Sequence, residues 1–282
     1  MGYHPPWKLL NAEQLRPKKA LGQNFLIDPS TAELIVRKSG LSTEDRIVEI
    51  GAGLGALTFS LARTARVVYA IEKDAALARI LDNQLRINEA ANVYLIHQDI
   101  FDVDLAALAE RENSRLMVFG NLPYYISSQL LIYLVAVRSC IRQADLMFQK
   151  EVAQRLTAVP GTKAYSRLSV MLQYYTDIRR TATVDAHLFW PKPKVDSEVL
   201  QFRFKETLHP VVGDHALFAA VVKAAFGKRR KTLQNALLSS ELGIEKEALL
   251  HGLLAAGINP QSRAESLYVD QFVRLTNALT VK

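Results

Sequence analysis

Val48-Glu49-Ile50-Gly51-Ala52-Gly53-Leu54-Gly55 is the stretch that decides the fold. A short apolar strand over Arg46–Ile50 runs into glycines at alternate positions, and a helix is predicted over Leu57–Arg63. Strand, glycine turn and helix in that order open a parallel α/β unit. Glycine lets the backbone turn sharply there and approach a ligand closely. In doubly wound sheets the open carboxyl end of the first strand is where nucleotides bind. The bland alternative for this stretch alone is a structural glycine turn.

Downstream the alternation repeats. Strands are predicted over Val67–Glu72, Val93–Gln98, Leu116–Gly120 and Leu146–Gln149, with helices over Ala75–Asn88, Ser128–Val137 and Val152–Leu156. Most of these strands are apolar on both faces, the pattern of a parallel sheet covered on each side. Two more strands, over Arg179–Val184 and Val199–Lys205, flank a Pro-rich link at Phe189–Lys194. After Lys205 the pattern is helical: Ala216–Phe226, Leu233–Leu238, Lys246–Ala256 and Val269–Leu279. Upstream, Ser30 is placed to cap a helix that ends near Gly40. Residues 1–18 are polar and basic, carry Pro5, Pro6 and Pro17, and read as a mobile arm. The expected domains are a basic N-terminal arm (1–18), an α/β domain (19–205) and a small all-helical domain (206–282).

Composition narrows the function classes. The chain has 282 residues and a net charge of +7, from 35 Lys+Arg against 28 Asp+Glu. That length buries a core without disulfides or metals and suggests two domains. The longest uncharged apolar run, Leu130–Val137, falls far short of the roughly 20 residues of a membrane span. No signal-peptide core opens the chain, so a cytoplasmic location is expected. The single cysteine, Cys140, excludes an internal disulfide and a Cys-rich zinc site, and it reads as a packing residue. The six histidines are scattered without metal-ligand spacing, and no metal is expected. The positive balance points to an anionic partner, of which nucleic acid is the commonest.

Two acids complete the candidate cofactor site. Glu72 ends the second strand, 21 residues after Gly51, where a carboxylate can accept from both ribose hydroxyls. Asp99 ends the third, where a carboxylate can accept from an adenine amino group. The sixth position of the glycine pattern is Ala56, a tolerated variant in dinucleotide sites, so NAD is not excluded by the glycines. Glu49, Gly55 and Asp99 favour S-adenosyl-L-methionine, which has no phosphate and carries a sulfonium cation suited to acidic surroundings.

Asn121-Leu122-Pro123-Tyr124 follows the fourth strand. An exocyclic adenine amine is a poor nucleophile because its lone pair is delocalised into the ring. The Asn121 side-chain oxygen and the Leu122 carbonyl supply acceptors for its two hydrogens, and Pro123 stiffens the turn. Tyr124 offers a face on which a splayed-out base stacks. Alone, this tetrapeptide also reads as a type I turn with Pro at its second central position, or as one carrying a core tyrosine. In the last third, Lys228-Arg229-Arg230-Lys231 forms a phosphate-binding cluster or a solvated basic face, and Arg16, Lys18 and Lys19 extend the track from the arm.

Taken together these motifs resemble the ribosomal RNA adenine N6,N6-dimethyltransferases, most closely the bacterial small-subunit branch linked to kasugamycin resistance. The resemblance runs from about Pro17 to the C-terminus. It covers Lys19–Leu26 (KALGQNFL), Glu49–Gly55 with Thr58, Ala70-Ile71-Glu72, Asn121–Tyr124 and Gln149–Val152. It continues through Tyr165–Ser169 and Pro191–Ser197. It implies a Rossmann-like class I methyltransferase sheet of seven mostly parallel strands with the last antiparallel, plus a small helical C-terminal domain. It implies that Asn24 and Leu26 contact or lid the donor's methionine part and that Gly51, with Gly53, lines the pocket. Glu72 then holds the ribose, Asp99 the adenine, and Asn121 borders the sulfonium. Phe189 stands where an aromatic sandwiches the target base with Tyr124, and Trp190 beside it is a rival for that place. The implied reaction dimethylates N6 of two adjacent adenosines in the 3′-terminal hairpin loop of 16S rRNA in the 30S subunit. The implied partner is that particle, bound by a monomer, with no membrane involved. Tyr125 departs from the Asn often found there, and the first 16 residues match nothing usable. The competing readings are a large-subunit rRNA adenine methyltransferase, a non-catalytic 30S assembly checkpoint factor, and an NAD-dependent oxidoreductase.

Overall fold

The computed structural model describes residues 4–18, 22–122, 126–228 and 230–280. The chain divides into two compact units. One runs to Ala153 and resumes over Ile178–Phe204, and the other takes Gln154–Asp177 and continues from Lys205.

The first unit opens with α1 (Pro6–Ala12), β1 (Phe25–Leu26), α2 (Pro29–Ser39), β2 (Arg46–Ile50), α3 (Thr58–Ala62), β3 (Val67–Ile71) and α4 (Ala75–Ile87). It continues with β4 (Val93–Ile96), α5 (Leu105–Arg111), β5 (Leu116–Asn121), α6 (Ser127–Ala136), β6 (Ile141–Gln149) and the start of α7 (Lys150–Leu156). After α8 (Arg167–Tyr175) the chain returns to the sheet through β7 (Thr176–Val184), β8 (Phe189–Trp190) and β9 (Ser197–Phe204). The main sheet has seven strands in the order β4-β3-β2-β5-β6-β9-β7. Neighbours from β4 to β6 are parallel, and β9 runs antiparallel to β6. The mostly parallel seven-stranded sheet and its antiparallel last strand match the sequence expectation. Strand order reverses at β2, which lies between β3 and β5, so the crevice beyond the carboxyl ends of β2 and β5 is the topological switch point. A core of Ile47, Val68, Met117, Phe119 and Leu61, each almost fully buried, fixes these strands.

Several local expectations are corrected. The N-terminal stretch is not a free arm over its described part. Pro6 starts α1, and Leu10, 1% exposed, packs among Phe25, Leu54, Leu77 and Ile80. Asp28, not Ser30, caps α2, accepting from the N–H groups of Ser30 and Thr31, because Pro29 takes the first helical position. β6 begins five residues before Leu146. Its interrupting polar residues are buried and served: Gln143 and Gln201 each donate to the Asp145 carboxylate and to the Ser39 carbonyl. The Pro-rich link holds a two-stranded ribbon, in which Leu26 of β1 lies opposite Phe189 of β8. Residues 154–177, placed by sequence with the sheet, belong to the helical unit.

That second unit holds α9 (His215–Gly227), α10 (Leu233–Leu238), α11 (Lys246–Ala255) and α12 (Val269–Thr280) besides α8. Asp214 caps α9 and Thr232 caps α10. Phe218, Leu233, Leu253 and Phe272 are fully buried, and Tyr165 and Phe226 extend the aromatic packing. Among the described residues no helix is long and apolar enough to cross a membrane.

Candidate active site

The switch point of the sheet builds the site. Beyond Ile50 the backbone takes positive φ at Gly51 (72°) and Gly55 (88°). A Cβ on Gly51 would lie 3.9 Å from the Asn121 carbonyl oxygen, so the end of β5 closes directly on the turn after β2. A Cβ on Gly55 would meet Phe59 at 2.7 Å and Leu81 at 2.8 Å, which leaves no room for a side chain. The turn is tied to β3: the N–H groups of Gly51 and Ala52 donate to the Ile71 carbonyl at 2.9 and 3.1 Å.

Glu72 caps this arrangement. Its Oε2 accepts from the Gly53 N–H at 2.8 Å and its Oε1 from the Asp74 N–H at 2.7 Å. The Lys73 backbone N–H acts on the same carboxylate. Burial raises the Glu72 carboxyl, and the backbone donors work against that rise. Asp99 follows β4 and accepts from the Phe101 N–H through Oδ1 at 3.2 Å, while Oδ2 pairs with the Lys73 ammonium at 2.6 Å. Burial pulls the Asp99 carboxyl upward, but the Lys73 and backbone hydrogen bonds outweigh it and hold the group below its ordinary value.

Glu49 lies deeper. It is 2% exposed, its Oε2 has no hydrogen-bond partner, and burial pushes its carboxyl up to about 8. An unpartnered buried acceptor is costly unless a ligand serves it.

Asn121 ends β5. Its Nδ2 donates to the Asn24 carbonyl at 3.0 Å, and the Asn24 side chain turns back to the Gly22 carbonyl at 3.0 Å. That bond commits the amide nitrogen and leaves the Asn121 oxygen as the free acceptor. Leu122 is buried beside it. These groups share one cavity of about 210 Å³, lined by Asn24, Gly51, Glu72, Asp99, Asn121 and Phe189. Glu49, Leu26, Gly53 and Leu122 line it as well. Phe189 is 3% exposed and packs against the sheet core, whereas Trp190 turns to Trp7, with ring centroids 6.3 Å apart. Pro123, Tyr124 and Tyr125 lie outside the described residues.

Sequence reasoning misses three groups. His4, Pro6 and Leu9 line the cavity, although nothing in the first 16 residues resembles a motif. Asp74, two residues past Glu72, caps α4 through the Ala76 N–H; an Asp just before an apolar helix was its available signal. Lys18, read from the sequence as part of an RNA track, pairs with Asp74 at 2.7 Å, a contact the sequence does not announce. Among the described residues no cluster of three His, Cys, Asp or Glu side chains is arranged to hold a metal.

Of the candidate RNA-facing cations, Arg16 and Lys18 belong to the sheet unit, and Lys228, Arg230 and Lys231 to the helical unit. Lys228 ends α9 and donates to the Ser239 carbonyl, and the Lys231 N–H donates to the Lys228 carbonyl. Lys228, Arg230 and Lys231 are exposed. Arg229 and Lys19 lie outside the described residues.

Against known proteins, residues 14–281 match the family model described as ribosomal RNA adenine dimethylase. A relative from Desulforapulum autotrophicum, named ribosomal RNA small subunit methyltransferase A, is 48% identical over 275 residues, covering 97% of this chain and 96% of the relative. A relative of the same name from Geobacillus thermodenitrificans is 44% identical over 269 residues, covering 93% and 90%. Among solved structures, a dimethyladenosine transferase from Plasmodium falciparum shares the fold with a TM-score of 0.76 at 23% identity, over 89% of this chain and 95% of that one. The 23S rRNA methyltransferase ErmE superposes with a TM-score of 0.68 at 25% identity, over 91% and 99%.

Proposed function

Because the chain belongs to the ribosomal RNA adenine dimethylase family, we propose that it methylates N6 of two adjacent adenosines in the 3′-terminal hairpin loop of 16S rRNA. The acceptor is the 30S subunit, the product is N6,N6-dimethyladenosine, and the donor is S-adenosyl-L-methionine. The family sets the reaction class; the small-subunit target follows the names of the relatives at 48 and 44% identity.

The cavity suits a cationic, phosphate-free donor. Three acidic side chains, of Glu49, Glu72 and Asp99, line it, and one buried oxygen of Glu49 is unpartnered. The glycine turn, through Gly51, Gly53 and Gly55, forms part of its lining. When bound, the donor supplies an electrophilic methyl group on its sulfonium. Gly51 and Gly53 line its pocket, and Glu72 takes the ribose hydroxyls. Asp99, oriented by Lys73, accepts from the adenine amino group. Asn24 and Leu26 cover the methionine part, and Asn121 borders the sulfonium.

The observation that carries the reading is the Asn121–Asn24 hydrogen bond at the switch point. It fixes the carboxamide so that its oxygen takes one hydrogen of the target amine. The Leu122 carbonyl takes the second, which concentrates the nitrogen lone pair without a strong base. Tyr124 and Phe189 hold the flipped base, Pro123 stiffens the turn between, and the rate comes mainly from positioning. Lys228, Arg229, Arg230 and Lys231 bind rRNA phosphates. The protein acts in the cytoplasm as a monomer docking on a much larger particle.

A target on the large subunit is the second reading, favoured by the superposition on ErmE. Incubation with labelled donor and purified, undermethylated 30S and 50S particles separates the two. Label is expected in 30S as dimethyladenosine, whereas transfer to 50S alone overturns the assignment.

A further inference from the structure

Resting on the donor-pocket reading above, we infer that Asp74 is a positioning residue for the methyl donor: it fastens the Gly22–Leu26 segment over the pocket through Lys18 and Gln23. The Asp74 side chain is 4% exposed, and its two oxygens are divided between separate tasks. Oδ1 accepts from the Ala76 N–H at 3.0 Å and caps α4. Oδ2 faces the other way and takes the Lys18 ammonium at 2.7 Å and the Gln23 amide at 3.2 Å. The ring closes where the Lys18 N–H donates to the Gln23 carboxamide oxygen at 2.8 Å.

A helix cap needs one oxygen and no ammonium group. The extra partners come from a segment 51 residues upstream. That segment forms a wall of the cavity. The Phe25 ring lies 3.5 Å from where a Gly53 Cβ would stand, Asn24 holds the Asn121 carboxamide, and Leu26 pairs with β8. Its downstream end is therefore anchored by strand pairing, and Asp74 anchors its upstream end. Asp74 also gives its own N–H to Glu72 at 2.7 Å, so the ribose-facing carboxylate and the covering segment are referenced to one residue. Strand pairing at Phe25 and Leu26 keeps the neighbouring Asn24 carbonyl on Asn121, so loosening the upstream anchor frees only Gly22 and Gln23, which line the cavity, to sample open positions. The loss falls on donor binding rather than on the methyl-transfer step.

Asp74→Asn keeps a capping oxygen and removes the charge that pairs with Lys18. Lys18→Met removes the same pair from an exposed side chain, so it reports even if the Asp74 variant folds poorly. Donor KM and kcat are measured on undermethylated 30S particles, and donor affinity by calorimetry. Each single variant is expected to raise donor KM and Kd about fivefold, the scale of a partly buried ion pair. kcat and the 30S KM should stay within about twofold. The double variant should be no weaker than either single one, because both remove one interaction. Lys18→Arg should restore the wild-type donor KM. An unchanged donor KM in both single variants overturns the inference, as does a rise confined to the 30S KM, which would return Lys18 to RNA binding. If wild-type protein fails to bind S-adenosyl-L-methionine in calorimetry, the donor-pocket reading itself fails.

Discussion

Glu49 buries an unpartnered carboxylate oxygen in a cavity that also holds Glu72 and Asp99. With its carboxyl pushed up to about 8 by burial, it carries a proton at neutral pH in the unliganded protein. A cation seated in the cavity favours the ionised form, so binding releases that proton. Donor affinity measured by calorimetry should therefore rise with pH from about 6 to about 8 and level off above that value. Glu49→Gln should flatten the rise, and an identical slope in the variant would contradict the electrostatic role. Glu72, Asp99 and Asn121 are legible in the sequence because each stands at or just past a strand end, where a parallel sheet presents side chains to its ligand. Lys18 and Gln23 are not legible as partners of Asp74. That cluster joins positions separated by more than fifty residues and leaves no periodic trace. The deep burial of Phe189 is likewise a property of the β1–β8 ribbon, which two-residue strands do not announce.

At the scale of elements, α1 shows how a polar, proline-containing stretch hides a docking helix. Its seven residues are too few to show a helical period, yet Leu10 fills a site between Phe25 and α4. Leu10→Ala should cost about 2–4 kcal/mol, the usual range for a fully buried leucine, as read by urea unfolding. A loss under about 1 kcal/mol would mean that α1 does not pack as described. The strands over 46–50, 67–71 and 116–121 are legible because they are apolar on both faces. β6 is read short because Gln143 and Asp145 interrupt its apolar run, and only the facing Gln201 and Ser39 show how those groups are satisfied. α8 is hidden inside a stretch read for its motif rather than for its period.

For the whole molecule, the net charge of +7 is an average over two different surfaces. Carboxylates gather in the cavity of the sheet unit, and exposed cations stand at the α9–α10 turn of the helical unit. Replacing Arg230 and Lys231 by Ala should weaken RNA binding. It should also reduce the log–log salt slope by about one unit per lost phosphate contact. An unchanged slope would make them a solvated basic face. The division into units is only partly legible, because the change from strands to helices after Lys205 is visible while the earlier insertion of 154–177 is not. Those residues hold the end of α7 and then α8, lie between strands of the sheet in sequence, and are assigned to the helical unit by packing alone. The proposed reaction leaves two adjacent dimethyladenosines near the 3′ end of 16S rRNA. Reverse transcription across that end, on RNA from cells with and without the protein, reads the modification, because a dimethylated N6 has no hydrogen left for pairing. Strong stops at two adjacent adenosines are predicted only where the protein is present, and the same pattern in both RNAs would contradict the account.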